Sequence, residues 1–212
     1  MAEQLPIAVL VSGEGTNLQA LLDRVHGREA RVVAVASSRA GARALERARA
    51  ADVPCAAFEL AEYDGRGARD AAIAAWLEEH GARFVVLAGY MALLGPELLD
   101  RFPWAVINVH PSLLPAFPGL DGVGDALAYG VKVFGVTVHF VDAGVDSGPV
   151  ILQRALELPD ARDAEEVRAA LRPLEHDLLT DAVRLAAEGR LRVSAENERR
   201  IQVDVPLDTL PG

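Results

Sequence analysis

Cysteine is nearly absent from this chain, which holds Cys55 alone among its 212 residues. No disulfide can form within the chain, and such a composition is typical of a reducing cytoplasm. We expect Cys55 to be a small core residue. Lysine is equally scarce, with Lys132 alone, and the formal net charge is −10. Because nucleic-acid binders normally present a basic face, we expect no nucleic-acid partner.

Long apolar runs are also absent. No stretch approaches the roughly 18 apolar residues that indicate a membrane span. The N-terminal segment has no basic residues before its short apolar run, so we expect no secretory signal. No cluster of histidine and cysteine suggests a metal site. These absences predict a cytoplasmic protein without a metal ion or a membrane partner.

Hydrophobic residues make up 51% of the sequence, enough for a substantial core. Over the first 110 residues, apolar runs alternate with stretches rich in Ala, Arg and Glu. The runs that we predict as strands include Ile7–Val11, Arg31–Ser37 and Phe84–Gly89. This alternation predicts an α/β fold with a doubly wound, mostly parallel sheet.

The second half of the chain has a different pattern. The segments 133–141 and 149–158 alternate apolar and polar residues, which predicts antiparallel strands. A long helix is predicted over 163–189, with Pro173 either kinking it or marking a helix start. No linker or repeat is visible, so we predict one domain over residues 1–212, with a loose tail from about 195 to 212.

The first predicted strand ends at the sequence SGEGTN, residues 12–17. Its two glycines let backbone N–H groups approach a ligand, and the helix that follows offers free N–H groups and a positive dipole end. A phosphate group suits such a position. The pattern lacks the lysine of a P-loop and is not GxGxxG, so it does not predict ATP or dinucleotide binding. The alternative is a plain turn in which Thr16 or Asn17 caps the helix.

A later strand ends on INVH and leads into a proline-rich loop with Pro111, Pro115 and Pro118. Asn108 and His110 lie on one face of this strand, about 6.5–7 Å apart along it. An amide can donate a hydrogen bond, and so can a protonated imidazole. Two donors around one carbonyl oxygen are what a tetrahedral acyl-transfer intermediate needs. The alternative is a structural, hydrogen-bonded histidine.

Two further segments offer side chains to the same region. Tyr90–Leu94 follows a buried strand and either lines an apolar slot for a flat ring or packs into the core. Asp146 lies between Gly144 and Gly148, in a loop before a strand. A carboxylate there either turns inward and favours the imidazolium form of His110, or is an ordinary turn residue.

Together these segments resemble the folate-dependent formyltransferase family. The matching sequences are NVHPSLLPAFPG, GVTVHFVDAGVDSGPVI about two dozen residues later, and VLAGYM upstream. The resemblance runs from about Ile7 to Arg192. The opening VLVSGEGTNLQALL is similar to that of family members that formylate glycinamide ribonucleotide.

This resemblance implies a Rossmann-like fold and the transfer of a formyl group from 10-formyltetrahydrofolate, as cosubstrate, to the amine of glycinamide ribonucleotide in purine biosynthesis. It implies three catalytic residues: Asn108, His110 and Asp146. It implies that the ribonucleotide is bound by Ser12, Gly13, Glu14, Gly15, Thr16, Asn17 and Glu175. It implies that the folate is bound by Arg66, Tyr90, Met91, Ala92, Leu93, Leu94 and Asn108.

Other activities remain open at this point. A hydrolase of 10-formyltetrahydrofolate shares the Asn–His–Asp set, but such enzymes carry an additional N-terminal domain, which we do not expect because the first strand begins at Ile7. The formyltransferase that acts on methionyl-tRNA carries a further C-terminal domain, for which the chain is short. A noncatalytic folate-binding homologue is the remaining alternative, and a homodimer is an open quaternary state.

The chain departs from the family pattern after residue 119. Two residues after FPG the family commonly has a histidine, where this chain has Asp121, and a nearby position that is often basic is Gly124. A second carboxylate close to Asp146 would raise the pKa of an acid by like-charge repulsion. We therefore expect Asp121 to alter the electrostatics of the site.

Overall fold

A computed structural model of the chain describes residues 3–194 and 196–203. Seven strands form its main sheet, and two short strands form a separate hairpin. The strands are β1 (Leu5–Val11), β2 (Ala30–Ser37), β3 (Cys55–Ala57), β4 (Phe84–Leu87), β5 (Val106–His110), β6 (Val133–Phe140), β7 (Val150–Glu157), β8 (Leu191–Val193) and β9 (Ile201–Val203). The helices are α1 (Thr16–Arg24), α2 (Arg43–Ala50), α3 (Arg66–Glu79), α4 (Pro96–Leu99), α5 (Gly122–Tyr129) and α6 (Ala164–Ala187).

The order of strands in the main sheet is β3-β2-β1-β4-β5-β6-β7. The first five strands along the chain pair in parallel, and β6 and β7 add antiparallel pairs at one side. The predicted fold class is therefore confirmed. The strand order reverses at β1, with β2 on one side and β4 on the other, and in such sheets ligands bind beyond the carboxyl ends of the strands at this reversal.

Both faces of the sheet are covered, which explains the apolar runs without polar alternation. Ile7, Val9 and Val11 of β1 pack into the core that includes α1, α2 and α6. The intervening Ala8 and Leu10 pack into the opposite core, with α3 and α4. Successive residues of one strand thus enter two different cores.

Several local predictions differ from the structure. β3 is a three-residue strand that the sequence did not reveal, because it directly follows Pro54 and is too short to show a period. Cys55 lies in this strand and is only partly buried, with its thiol 3.7 Å from the carbonyl oxygen of Leu45. Pro173 lies inside α6, which continues on both sides of it, so a helix start at this proline is wrong.

The predicted loose tail also needs a correction. Residues 201–203 form β9, which pairs antiparallel with β8, so this part of the tail is an ordered hairpin. The backbone N–H of Ser194 donates to the carbonyl of Arg200 and extends the pairing. Residue 195 and residues 204–212 lie outside the described residues. That the whole chain is one domain stays a prediction.

The loop after β1 packs closely against Ala44 at Gly15. The φ of Gly15 is +74°, and a Cβ there would lie 2.6 Å from Cβ and 2.8 Å from Cα of Ala44. Gly81 has the same backbone conformation, with φ +73°, but nothing within 4 Å of an added Cβ. We expect Gly81→Ala to cost about 1–2 kcal/mol of unfolding free energy because of its conformation alone.

We expect Gly15→Ala to cost about 1–3 kcal/mol more than Gly81→Ala, because overpacking adds to the conformational cost. Urea denaturation of both variants measures the difference. Equal losses in the two variants would show that the contact with Ala44 relaxes freely.

Candidate active site

A cavity of about 490 Å³ opens beyond the carboxyl ends of β4 and β5. Four segments line it: the start of α3, the loop after β4, the end of β5 with the loop that follows, and the segment after β6. The residues predicted to contact folate that lie in its wall are Arg66, Tyr90, Met91, Ala92, Leu93, Leu94 and Asn108. The predicted catalytic residues His110 and Asp146 line the same cavity. The structure therefore brings these two predicted groups together.

β5 positions the first two polar side chains. It ends at His110 because Pro111 follows and lacks the N–H that a strand pair needs. The Asn108 amide nitrogen lies 3.4 Å from Oδ1 of Asp146 and 3.3 Å from Nε2 of His139. Both distances exceed the usual 2.9–3.0 Å, so the amide is weakly engaged and remains available to a ligand.

His110 is almost completely buried and has an acceptor at each ring nitrogen. Its Nε2 lies 2.8 Å from the carbonyl oxygen of Phe117, and its Nδ1 lies 3.4 Å from Oδ2 of Asp146. A carbonyl and a carboxylate can only accept, so the doubly protonated ring alone donates to both. The surroundings of His110 thus suit a positively charged imidazolium.

Asp146 turns inward from the loop before β7. Its φ is +48°, an uncommon conformation for a residue other than glycine, and the N–H of Gly119 donates to its Oδ2 at 2.8 Å. Burial alone would raise the pKa of Asp146. The hydrogen bonds from His139 and Gly119 and the electrostatic attraction of His110 and His139 outweigh burial, so the pKa of Asp146 lies below its ordinary value. The carboxylate is therefore ionised at neutral pH.

His139 is a polar residue of the site that sequence reasoning missed. It lies opposite Asn108 in the antiparallel pairing of β5 and β6, and its Nε2 is 3.6 Å from Oδ1 of Asp146. Its Nδ1 must carry a proton, because it lies 2.7 Å from the carbonyl oxygen of Phe140. The histidine in VTVHFV was a visible signal, but its partner depends on the strand register.

A hydrogen-bond network holds the proline-rich loop that follows His110. The Thr137 hydroxyl donates to the carbonyl of Ser112 at 2.7 Å and accepts from the N–H of Leu114 at 3.1 Å. The Gln153 amide donates to the carbonyl of Leu114 at 2.7 Å. These contacts tie the loop to β6 and β7, and so position the Phe117 carbonyl against His110.

The loop SGEGTN lies at the strand reversal, between β1 and α1. Gly15 is the N-cap of α1, in a left-handed conformation and without a side-chain cap. The alternative in which Thr16 or Asn17 caps the helix is therefore wrong. Ser12 accepts the N–H of Met91 at 2.9 Å and thereby links this loop to the loop after β4. The first turn of α1 keeps its N–H groups free of side-chain caps, as an anion site requires.

Glu175 of α6 lies between this loop and His110. The Asn17 amide donates to its Oε2 at 3.0 Å, while the other amide atom, Asn17 Oδ1, is buried and has no partner. Burial raises the pKa of Glu175 above its ordinary value, against the lowering effects of Asn17, Arg172 and His110. Two acceptors, a partly buried carboxylate and a buried amide oxygen, thus face this region with few donors.

The loop Tyr90–Leu94 combines the two interpretations that the sequence left open. Tyr90 is buried in the core between the sheet and α3. Met91 and Leu93 are half exposed, at 55% and 51%, and line the cavity. Tyr90, Ala92 and Leu94 therefore pack against the core and also border the cavity, whereas Met91 and Leu93 serve the cavity wall alone.

Asp121 does not join the cluster around Asp146. Its side chain caps α5 by accepting the N–H of Gly124 at 3.2 Å, and it pairs with Arg168 of α6 at 2.6 Å. A Cβ at Gly124 would overlap the Asp121 carboxylate, so a side chain there would displace this helix cap. The expected like-charge effect on Asp146 is wrong, since the pKa of Asp146 is lowered and not raised.

Comparison with known proteins identifies the family of this chain. The profile of the Formyl transferase family matches residues 5–183. The chain belongs to the formyl transferase family. It is 48% identical to the phosphoribosylglycinamide formyltransferase of Mycobacterium tuberculosis strain H37Rv. The 178 matched residues are 84% of this chain and 82% of that protein. The corresponding Bacillus subtilis protein is 42% identical over 171 residues, 80% of this chain and 88% of that protein.

A solved structure supports the same family assignment. The crystal structure of glycinamide ribonucleotide transformylase 1 from Symbiobacterium toebii matches with a TM-score of 0.89 at 47% identity, covering 94% of each chain. Among residues 3–194 and 196–203, no group of three or more metal-binding side chains is present. No helix within those ranges is long and apolar enough to cross a membrane.

The pKa of Glu175 leads to a stability prediction. A carboxyl whose folded pKa is raised stabilises the fold fully below its unfolded pKa, and loses that contribution as the pH rises through its folded pKa. Glutamine does not titrate. We therefore expect the melting temperature of Glu175→Gln, relative to wild type, to increase between pH 4 and pH 8, by roughly 2–4 °C for each 1 kcal/mol gained.

Differential scanning calorimetry across this range measures the effect. Glu79→Gln, on an exposed position of α3, is the control and should show a constant difference from wild type. A difference for Glu175→Gln that falls with rising pH would refute the effect of burial.

Proposed function

We propose that this protein transfers a formyl group from 10-formyltetrahydrofolate to the amine of glycinamide ribonucleotide, a step of purine biosynthesis. The observation that carries the proposal is the polar cluster of Asn108, His110 and Asp146 at the wall of a largely apolar cavity. Membership of the formyl transferase family and the names of its relatives support the same reaction.

The two substrates approach the cluster from different sides. The phosphate of the ribonucleotide binds at the uncapped N-terminus of α1, on the N–H groups of residues 13–17. The folate ring enters the cavity lined by Met91–Leu94, and Arg66 at its edge attracts the carboxylates of the folate tail. Between these positions lies the end of β5, where the two reacting groups meet.

The ribonucleotide side of the site lacks donors rather than acceptors. The Glu175 carboxylate and Asn17 Oδ1 are acceptors whose burial is poorly compensated within the protein. The N–H groups of the glycinamide amine, together with ribose hydroxyl groups, supply the missing donors. We assign Glu175 and Asn17 to the glycinamide and ribose end of this substrate.

The chemistry follows from the geometry of β5. The amine nitrogen attacks the formyl carbon, and negative charge develops on the formyl oxygen. The Asn108 amide donates to this oxygen, for which its long contacts of 3.3 and 3.4 Å leave it free. His110, as the imidazolium, donates the second hydrogen bond from Nδ1, whose contact with Asp146 is long at 3.4 Å. Preorganised donors of this kind contribute the largest single share of catalysis in acyl transfer.

Asp146 keeps the cluster in the charge state that the reaction needs. Its ionised carboxylate pairs with His110 and accepts a proton from the attacking amine, directly or through water. His110 returns a proton to the folate nitrogen as the carbon–nitrogen bond to the formyl group breaks. Proton transfer of this type contributes about 10²–10⁴-fold to enzymatic rates.

Two related predictions accompany this function. We propose that residues 1–212 act as one formyltransferase domain located in the cytoplasm. A homodimer stays a prediction, and sedimentation equilibrium measures the mass directly.

The catalytic assignment predicts the effect of two substitutions. His110→Ala removes one oxyanion donor, and Asp146→Asn removes the charge that favours the imidazolium. We expect each to lower kcat by about 10²–10⁴-fold, with the fold intact by circular dichroism. Asp160→Asn, an exposed position between β7 and α6, is the control and should keep wild-type kcat. Near-normal turnover in either site variant would refute these roles.

One assay separates transfer from hydrolysis. Release of tetrahydrofolate is followed with and without glycinamide ribonucleotide. Transfer requires the ribonucleotide, whereas a hydrolase releases tetrahydrofolate at the same rate without it. Equal rates in both arms would contradict the proposed transfer.

A further inference from the structure

A buried ion pair lies behind the loop that lines the cavity. Arg69 and Asp70 are consecutive residues near the start of α3, with 3% and 0% of their side chains exposed. Nε and one terminal nitrogen of Arg69 both donate to Oδ1 of Asp70, at 3.0 and 2.7 Å. Consecutive helical residues do not face each other, so this pair is not an ordinary helix-surface contact.

Each partner uses its remaining capacity on the same loop. Arg69 donates to the carbonyl oxygen of Leu93 at 3.1 Å. Asp70 Oδ2 accepts the N–H of Gly95 at 2.7 Å. The pair therefore contacts the backbone at two positions two residues apart.

The loop needs such support because only Tyr90, Ala92 and Leu94 pack against the core. Met91 and Leu93 are half exposed at the cavity. Their backbone is held instead, with Met91 N–H on Ser12, the Leu93 carbonyl on Arg69 and Gly95 N–H on Asp70. These contacts hold the backbone at alternate residues, on the side away from the cavity. The side chains of Met91 and Leu93 therefore face the cavity.

Tyr90 adds a third contact to the same arrangement. The guanidinium carbon of Arg69 lies 6.0 Å from the centroid of the Tyr90 ring, within cation–π range. Burial raises the pKa of Tyr90 to about 12, so its ring stays neutral under the cation. Buried charges are a weak source of stability, whereas they can specify one arrangement of their neighbours.

We propose that Arg69 and Asp70 are positioning residues for folate: they hold the backbone of residues 90–95 so that Met91 and Leu93 form the wall of the folate cavity. This proposal rests on the proposed function for the identity of the ligand. The pair touches neither substrate and acts through the loop.

The test uses a double variant, Arg69→Met with Asp70→Ala, which removes both loop contacts and leaves no unpaired charge. We expect the Kd for tetrahydrofolate and the KM for 10-formyltetrahydrofolate to rise at least about tenfold, because small displacements of binding groups are costly. The KM for glycinamide ribonucleotide should stay within about twofold, since its site lies on other segments. A lowered melting temperature with both KM values unchanged would reduce the pair to a structural role and overturn the proposal.

A matched control is available on the same helix. Glu78 of α3 pairs with Arg101, just beyond α4, at 3.0 Å, and both side chains are about half exposed. Glu78→Gln with Arg101→Met removes an ion pair between α3 and the neighbouring segment at a distance from the cavity. We expect both KM values to be those of the wild type. A folate effect equal to that of the first double variant would overturn the proposal.

Hydrogen exchange of the wild-type protein provides a test that needs no variant to fold. The amides of Met91 and Gly95 should exchange slowly although neighbouring side chains are exposed. Fast exchange at both amides would overturn the proposal. Wild type that binds tetrahydrofolate but transfers no formyl group would refute the proposed function alone, because the Kd of the double variant still tests the positioning.

Discussion

A partly buried carboxylate must be surrounded by donors, and Asp146 imposes this constraint on the polar end of the sheet. Burial disfavours its charged form, and only converging donors keep the pKa of Asp146 low. Those donors come from β5, from β6 and from the loop that ends at Gly119. Movement of any one of these segments would remove a donor from the charge. The hydrogen bonds of Thr137 and Gln153 hold the proline-rich loop in place. This loop ends at Gly119, whose N–H donates to the Asp146 carboxylate.

Sequence patterns were sufficient wherever the contact is local. Alternation within β5 placed Asn108 and His110 on one face, and the glycines around Asp146 indicated a turn. They were insufficient wherever the contact depends on pairing between distant segments. His139 meets Asn108 only in the β5–β6 register, and a shift of one residue would turn it to the other face. The strand register is set by the packed sheet and not by the local pattern.

Asp121 shows the same limit of sequence patterns, because here a predicted contact is not made. Its place in the family pattern, where a histidine is common, suggested a second carboxylate close to Asp146, but the helix cap and Arg168 of α6 hold its side chain away from the cluster. Gly124 is the matching change, because a side chain at this position would overlap the Asp121 carboxylate. The two departures from the family pattern therefore form one coupled local structure. Arg168 lies 47 residues further along the chain, so the pairing depends on how α6 packs against α5.

The two carboxyl groups near His110 differ in what compensates their burial, and this difference separates their roles. Asp146 finds its donors within the protein and is ionised before any substrate binds. Glu175 has the Asn17 amide as its hydrogen-bond donor, and burial raises its pKa. A group compensated internally can polarise His110 throughout the reaction. The burial of Glu175 is only partly compensated by donors in the free protein. A ligand that brings donors removes this free-energy cost, which then contributes to the binding of the amine substrate. The burial of Glu175 therefore lowers the stability of the free protein but favours substrate binding. At Asp146 the same contacts favour both the fold and the charge state that the reaction needs.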